Sequence, residues 1–332
     1  MSAECLAGFT TAHSPTRVTC SLVLLVAAIA APGDSARAER IEPLLDDTRF
    51  ERGFRVVPPA WPPQASIRAI RPGTDTAEPG WSLSQWYSRF NLADAQPKTL
   101  PGGAVQYFDG GKSVTFFPAS SEADLGLGLN GMTERRGKSP RIGDAWPHLL
   151  AGRPLRVQPS VSELSATRFA IRYRLVHAEM HRPEGFAPAL HTAQFNFYLI
   201  IANRNAKSAG KGDYFWFGVP MYDARWRLPP AFMARDAGTD RKEGTEKFIY
   251  NPAGQTYTSQ SAHDGKWVTI DKDLLPLIRE GLKAAWDRGF LGGSHDPADY
   301  CLTDAFLGWE VTGTVDVEMH VKRLKLEAAF HQ

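Results

Sequence analysis

HTAQFNFYLIIANRN (His191–Asn205) and GDYFWFGVPMYD (Gly212–Asp223) are the two runs that decide the fold. Both are dense in aromatic and β-branched residues, and a short Gly/Lys/Ser segment separates them. That is the pattern of paired strands in a large sheet. Alternation along the second run puts Tyr214, Trp216, Gly218, Pro220 and Tyr222 on one face and Phe215, Phe217, Val219 and Met221 on the other. The second face is purely apolar and reads as core. The first carries rings with polar edges and a glycine gap, and His191, Gln194, Asn196 and Asp223 sit close by in sequence. One face of this ribbon is therefore expected to be wet and chemically equipped.

Outward from there the same signals recur. AVQYF, Asp109-Gly110-Gly111 and KSVTFF form a hairpin signature, two β-rich runs joined by residues that tolerate positive φ. In Thr167–Met180, Phe169, Ile171, Tyr173 and Leu175 alternate with Arg168, Arg172 and Arg174, a half-buried strand with arginines on its other side. Val315, Val317, Met319 and Val321 alternate in a closing strand. Only Asp271–Gly289 switches to helical period: Leu274, Leu275, Ile278, Leu282, Ala285 and Trp286 form one stripe, with Asp271 as N-cap and Gly289 as stop. Leu125–Gly131 (LGLGLNG) is glycine-rich, but no helix is expected after it, so a dinucleotide site is not expected. Many short strands with one main helix near 272–288 predict an all-β fold, an antiparallel β-sandwich of jelly-roll type.

The N-terminus reads as an export signal. Arg17 precedes the apolar run Val18–Ala31, which is too short to span a bilayer, and Ala36-Arg37-Ala38 offers a cleavage site. The expected organisation is a signal peptide at 1–38, a Pro-rich extended arm at 39–80 with a short edge strand at Phe54–Val57, and a single sandwich domain at 81–332. Cleavage near Ala38 would release the chain to the periplasm or the outside, with no membrane span in the mature chain. Cys301 alone would survive, so no internal disulfide forms and the core must hold the fold. Nine Trp and eighteen Phe supply the bulk for one. A formal charge of +2 implies no basic field for nucleic acid.

Two resemblances carry the functional expectation. Trp267-Val268-Thr269-Ile270-Asp271, followed by Leu307-Gly308-Trp309-Glu310-Val311-Thr312-Gly313 and a final alternating strand, resembles the tail of secreted carbohydrate-associated jelly rolls of the concanavalin A-like or carbohydrate-binding-module type. Arg168/Arg172/Arg174, then His191 and Gln194, then Tyr214–Tyr222, is similar in order to alginate-lyase-like jelly rolls. Trp216 stands where those carry a lysine, the Gln/His order is altered and the Arg motif is not reproduced. That likeness implies Tyr222 as acid/base and His191 as neutraliser or base.

The expected function is binding of a polysaccharide or oligosaccharide on an aromatic-lined concave face. Tyr214 and Trp216 stack on sugar rings, and Gln194, Asp223 and Arg225 make polar contacts at the rim. The alternatives are a polysaccharide lyase or glycoside hydrolase in the same groove, using His191 and Tyr222, and an exported structural protein without a small ligand. No cofactor is expected. Asp236 and Asp240 are oxygen ligands that would suit Ca²⁺, without EF-hand spacing. His177 and His181 lack the H-E-x-x-H frame of a zinc site. Glu310, beside Trp309, is a further carboxylate candidate for hydrolysis, yet the E-x-D-x-x-E pattern of jelly-roll glucanases is absent.

Overall fold

The computed structural model describes residues 39–74, 76–118, 122–237 and 244–331. The candidate export segment lies outside them. In chain order the first strands are β1 (Ile41–Pro43), β2 (Phe54–Val56), β3 (Arg68–Ile70), β4 (Trp81–Ser84), β5 (Pro97–Thr99) and β6 (Val105–Phe108). There follow β7 (Lys112–Phe116), β8 (Leu125–Asn130), β9 (His148–Pro154), β10 (Leu164–Met180), β11 (Ala193–Asn203) and β12 (Tyr214–Asp223). The last are β13 (Phe232–Arg235), β14 (Phe248–Asn251), β15 (Val268–Asp273), β16 (Tyr300–Val311) and β17 (Val315–Phe330). A single turn, α1 (Gly131–Glu134), follows β8, and α2 (Leu275–Asp287) follows β15.

The strands form two sheets. The back sheet runs β15-β10-β17-β8-β7-β6-β5, with β1 added along β17. The front sheet runs β13-β14-β12-β11-β16-β9-β4-β2-β3. Their inner faces pack on each other, as period-two alternation requires of a sandwich. Phe169 of β10 stacks on Phe197 of β11 with ring centroids 4.5 Å apart. The indole of Trp309 on β16 donates to the Leu127 carbonyl of β8 at 2.8 Å. All three side chains, Phe169, Phe197 and Trp309, are fully buried, and each contributes about 1.5–3 kcal/mol by leaving water. The expected all-β sandwich with one main helix is what the chain forms.

Three local readings change. The Pro-rich stretch is woven into the sandwich: β1 joins the back sheet, β2 and β3 join the front sheet, and Leu44, Phe50, Phe54, Val56 and Ile70 are buried. Its densest prolines (Pro58, Pro59, Pro62, Pro63) fall between β2 and β3, where no ladder N–H is needed. Residues Glu39–Gln332 accordingly make one unit, with no boundary near 80. The helix begins later than expected, because Asp271–Asp273 still pair with Arg168–Ala170 of β10. Asp273, not Asp271, receives the Leu275 N–H at 3.0 Å. The glycine-rich LGLGLN is a strand, and it is followed by one helical turn that Asn130 caps through the Thr133 N–H at 2.7 Å.

Candidate functional site: the outer face of the front sheet

Side chains on the face turned away from the core come from alternate positions of β11, β12, β16 and β9, which lie side by side. In register, Gln194 faces Glu310 and Asp223, Asn196 faces Gly308 and Pro220, and Tyr198 faces Phe306 and Gly218. Glu310 in turn faces His148, and Phe306 faces Gly152. These residues are distant in sequence and adjacent across the strands.

Glu310 is the centre of a polar cluster. One carboxylate oxygen lies 3.4 Å from His148 Nε2. The other accepts from Asn196 Nδ2 at 3.4 Å and from the Tyr198 hydroxyl at 3.3 Å. Asn196 and His148 are buried while the Glu310 side chain keeps 23% exposure, so the carboxylate is the member that meets solvent. Burial, reinforced by the Glu310 charge, pushes the Tyr198 phenol well above its ordinary range, so it stays a neutral donor.

Aromatic rings flank this cluster on both sides. Trp216 packs edge-on to Tyr198 and Tyr214, with centroids 5.8 Å and 5.9 Å away, and tilts on Phe306 at 5.6 Å. Its indole N–H donates to Thr245 Oγ1 at 3.1 Å, and that hydroxyl donates to Asp236 at 2.6 Å. Trp216 is thus held in one orientation while part of its ring stays exposed. Past His148, the loops bring Trp86, Tyr87 and Trp146 to ring distances of 5.7, 6.0 and 6.0 Å, and Trp61 packs on Trp86 at 5.0 Å.

Glycines set the floor. A Cβ on Gly152 would stand 2.6 Å from the Phe306 ring, and one on Gly218 would stand 2.8 Å from the Tyr198 ring and 2.1 Å from Asn251 Oδ1. Gly308 has φ +153°, and its Cβ would meet the Leu149 carbonyl at 2.0 Å. Phe306 and Tyr198 therefore lie low over bare backbone.

Of the residues singled out in the sequence, Tyr214, Trp216 and Gln194 lie on this face, partly exposed. Tyr222 does not, and its expected orientation is corrected. A bulge lets Tyr222 pair with Phe195 and Pro220 with Asn196, leaving Met221 unopposed. The extra residue turns Tyr222 to the inner side, where it is buried against Trp309 at 5.7 Å. Burial pushes its phenol far up. His191 is also interior: it is 1% exposed, Nδ1 accepts the Ala187 N–H at 3.0 Å and Nε2 donates to the Pro140 carbonyl at 2.9 Å. Both ring nitrogens are used by backbone, which leaves none for a substrate proton. Asp223 is 1% exposed and holds Arg225 in a fork at 2.9 and 2.6 Å, while Thr192 and Gln194 donate at 2.8 Å. Burial alone would raise its carboxyl. The Arg225 hydrogen bonds and charge, with the Thr192 hydroxyl, outweigh that and hold it below the usual range.

Asp236 binds the Thr245 amide and hydroxyl, and Asp240 lies outside the described residues. Among the described residues no group of three or more His, Cys, Asp or Glu is placed to hold a metal. His181 pairs with Asp316 at 3.0 Å. No helix among the described residues is long and apolar enough to cross a membrane.

Sequence reading missed His148, Tyr198, Phe306 and the Trp61/Trp86/Tyr87/Trp146 group as site residues. Gln194, Asn196 and Tyr198 alternate, so they share a face by period two, and that signal was present in the sequence.

No family model and no curated protein matches the chain. Solved structures similar to it include a thermostable cellulase derived from the Rhodothermus marinus enzyme (11% identity, 74% of this chain and 99% of that one, TM-score 0.38). Others are a family 11 xylanase from Neocallimastix patriciarum (11%, 77% and 94%, 0.36) and a family 12 xyloglucanase from Bacillus licheniformis (9%, 73% and 99%, 0.40). At these identities and scores the likeness carries no argument about chemistry, so the reading of the site rests on its own geometry.

Proposed function

We propose that this chain is an exported saccharide-binding protein whose docking site is the outer face of the front sheet. The observation that carries the reading is the partly exposed Trp216 ring, fixed through Thr245 and Asp236, beside a solvent-reaching carboxylate at Glu310. A tryptophan face suits the C–H surface of a pyranose. Glu310 accepts from sugar hydroxyls, and Tyr214 and Gln194 add polar contacts at the margins. Asp223 and Arg225 serve the site from behind, by holding Gln194.

Hydrolysis is the second reading, favoured by the contact of 3.4 Å between Glu310 and His148. It asks for a partner carboxyl roughly 5–9.5 Å away across the bound sugar. Asp223 is tied to Arg225 and Asp236 to Thr245. Asp304 shares the strand with Glu310 but sits six residues along it, roughly 20 Å away. Binding is therefore placed ahead of turnover.

Affinity electrophoresis in gels containing xylan, xyloglucan or a β-glucan tests the proposal. The expected result is retardation by at least one of them, abolished in Trp216→Ala with thermal stability kept. Retardation unchanged by that substitution, or none with any glycan, refutes it. Release of reducing ends or of ultraviolet-absorbing products, lost in Glu310→Gln, would decide for an enzyme.

A further inference from the structure

The outer face of the front sheet is equipped well beyond Trp216 and Glu310. Phe232 of β13 lies directly opposite Asn251 of β14, and opposite residues share a face. The Asn251 amide sits over Gly218, beside the Tyr198 ring, so this pair belongs to the outer side of the sheet. Phe232 is 51% exposed there, on the edge strand. At the other side, past β9, Trp61, Trp86, Tyr87 and Trp146 are partly exposed around His148. Aromatic rings therefore stand at both margins of the face, with Trp216 and Glu310 between them.

Both margins also hold polar atoms without a partner among the described residues. Asn251 is 7% exposed, and its side-chain oxygen has no hydrogen-bond partner, although its amide neighbours the Tyr198 phenol. His148 Nδ1 and the indole nitrogens of Trp86 and Trp146 are buried and unpaired in the same way. Leaving such groups unpaired is costly, and a sugar hydroxyl both donates and accepts, so it suits either kind. Between the margins Tyr198 and Phe306 lie low over Gly218 and Gly152, which keeps the floor shallow. The charges on the face are matched: Lys247 pairs with Asp213 at 2.7 Å, Arg225 with Asp223 at 2.6 Å and His148 with Glu310 at 3.4 Å, and Thr245 holds Asp236. Asp304 adds a further carboxylate. The face therefore favours uncharged sugars over an anionic chain.

Resting on the saccharide reading above, we propose that the occupant is a stretch of neutral polysaccharide lying across the strands, with Phe232 and Trp146 stacking on sugar units at its two ends. β13 and β9 are five strand spacings apart, roughly 24 Å along the sheet, and a linked pyranose advances a chain by about one spacing, so the stretch is at least about four units long. Phe232 and the indoles offer flat apolar faces to pyranose rings. Hydroxyls beside them meet the Asn251 oxygen at one margin and the His148 and indole nitrogens at the other. A disaccharide over Trp216 and Glu310 reaches neither margin.

The test is titration calorimetry of the full chain with cellobiose and cellohexaose, and with xylobiose and xylohexaose. In at least one series the six-unit sugar should bind at least tenfold tighter than the two-unit sugar. Phe232→Ala and, separately, Trp146→Ala should each cut that ratio at least threefold. Trp146→Phe, which keeps a ring and loses the indole N–H, should fall in between, and melting curves of all variants should match the wild type within a few degrees. Equal affinity for the two lengths overturns the proposal and leaves Trp216 and Glu310 as a short-sugar site. A ratio indifferent to Phe232→Ala or to Trp146→Ala overturns it as well. Binding of neither series overturns it too, and if the glycan gels then also fail to retard the protein, the saccharide reading falls with it.

Discussion

Replacing Lys112 by Met should unsettle the aromatic side of the front-sheet site from a distance. The Lys112 side chain is 0% exposed, and its ammonium sits 2.8 Å from Asp109 and 3.6 Å from Glu134, themselves 4% and 1% exposed. It also donates to Ser88 Oγ and to the Phe90 carbonyl, while Glu134 accepts the Ser88 hydroxyl and the Arg89 N–H. This network ties the loop carrying Trp86 and Tyr87 to β7 and α1. Methionine fills the volume but leaves two carboxylates buried and unpaired, which costs about 3–5 kcal/mol. At about 2–4 °C per kcal/mol in a domain somewhat smaller than this one, the melting temperature should drop by about 6–20 °C. Urea unfolding gives the free energy directly. The triple variant Lys112→Met/Asp109→Asn/Glu134→Gln should regain more than half of the loss, because it removes the stranded charges as well. A single-variant loss below about 1 kcal/mol, the scale of an exposed ion pair, would refute the reasoning by showing that the ammonium reaches water.

Other consequences are equally open to measurement. Gly308→Ala places a methyl against the Leu149 carbonyl in a conformation that L residues avoid, and should cost at least about 3 kcal/mol or prevent soluble expression; near-wild-type urea unfolding would contradict the packing described. Glu310→Gln should weaken glycan binding about three- to thirtyfold in calorimetry, the worth of a charged hydrogen bond partly retained by the amide, while leaving the melting temperature within a few degrees. The folded-state pKa of Asp223 is depressed below its unfolded value, so its contribution to stability is complete above about pH 4 and is lost as pH falls through the folded value. Asp223→Asn should therefore flatten the acid limb of the stability curve below pH 4, and an unchanged limb would show that Arg225 does not hold it.

The sandwich was legible because alternation was strong where it mattered. β10, β11, β12 and β17 show period two over long runs, and their apolar faces are the ones buried. The site was legible only in part. Tyr214, Trp216 and Gln194 follow from alternation, but Tyr222 does not, because a bulge at Met221 adds one residue that no pattern of residue types announces. His191 looks like a base in sequence and proves to be bound on both nitrogens by backbone supplied from Pro140 and Ala187, a loop contact that periodicity cannot foresee. The pairing of Glu310 with His148 joins strands far apart in the chain, and only the order of strands in the sheet reveals it. The Pro-rich segment misled for a related reason: proline density marks the connection between β2 and β3, while the short strands around it are held by partners elsewhere.

The bare backbone beneath Phe306 and Tyr198 has one more implication. Gly152, Gly218 and Gly308 come from different strands; the first two fix how low the Phe306 and Tyr198 rings can settle, and Gly308 how closely the β9 backbone approaches. Saturation mutagenesis should find intolerance to even a methyl group tracing a line at right angles to the polypeptide, over β12, β16 and β9. Such a line has no counterpart in any contiguous window, so descendants of this protein could drift widely along each strand while that transverse stripe stayed frozen.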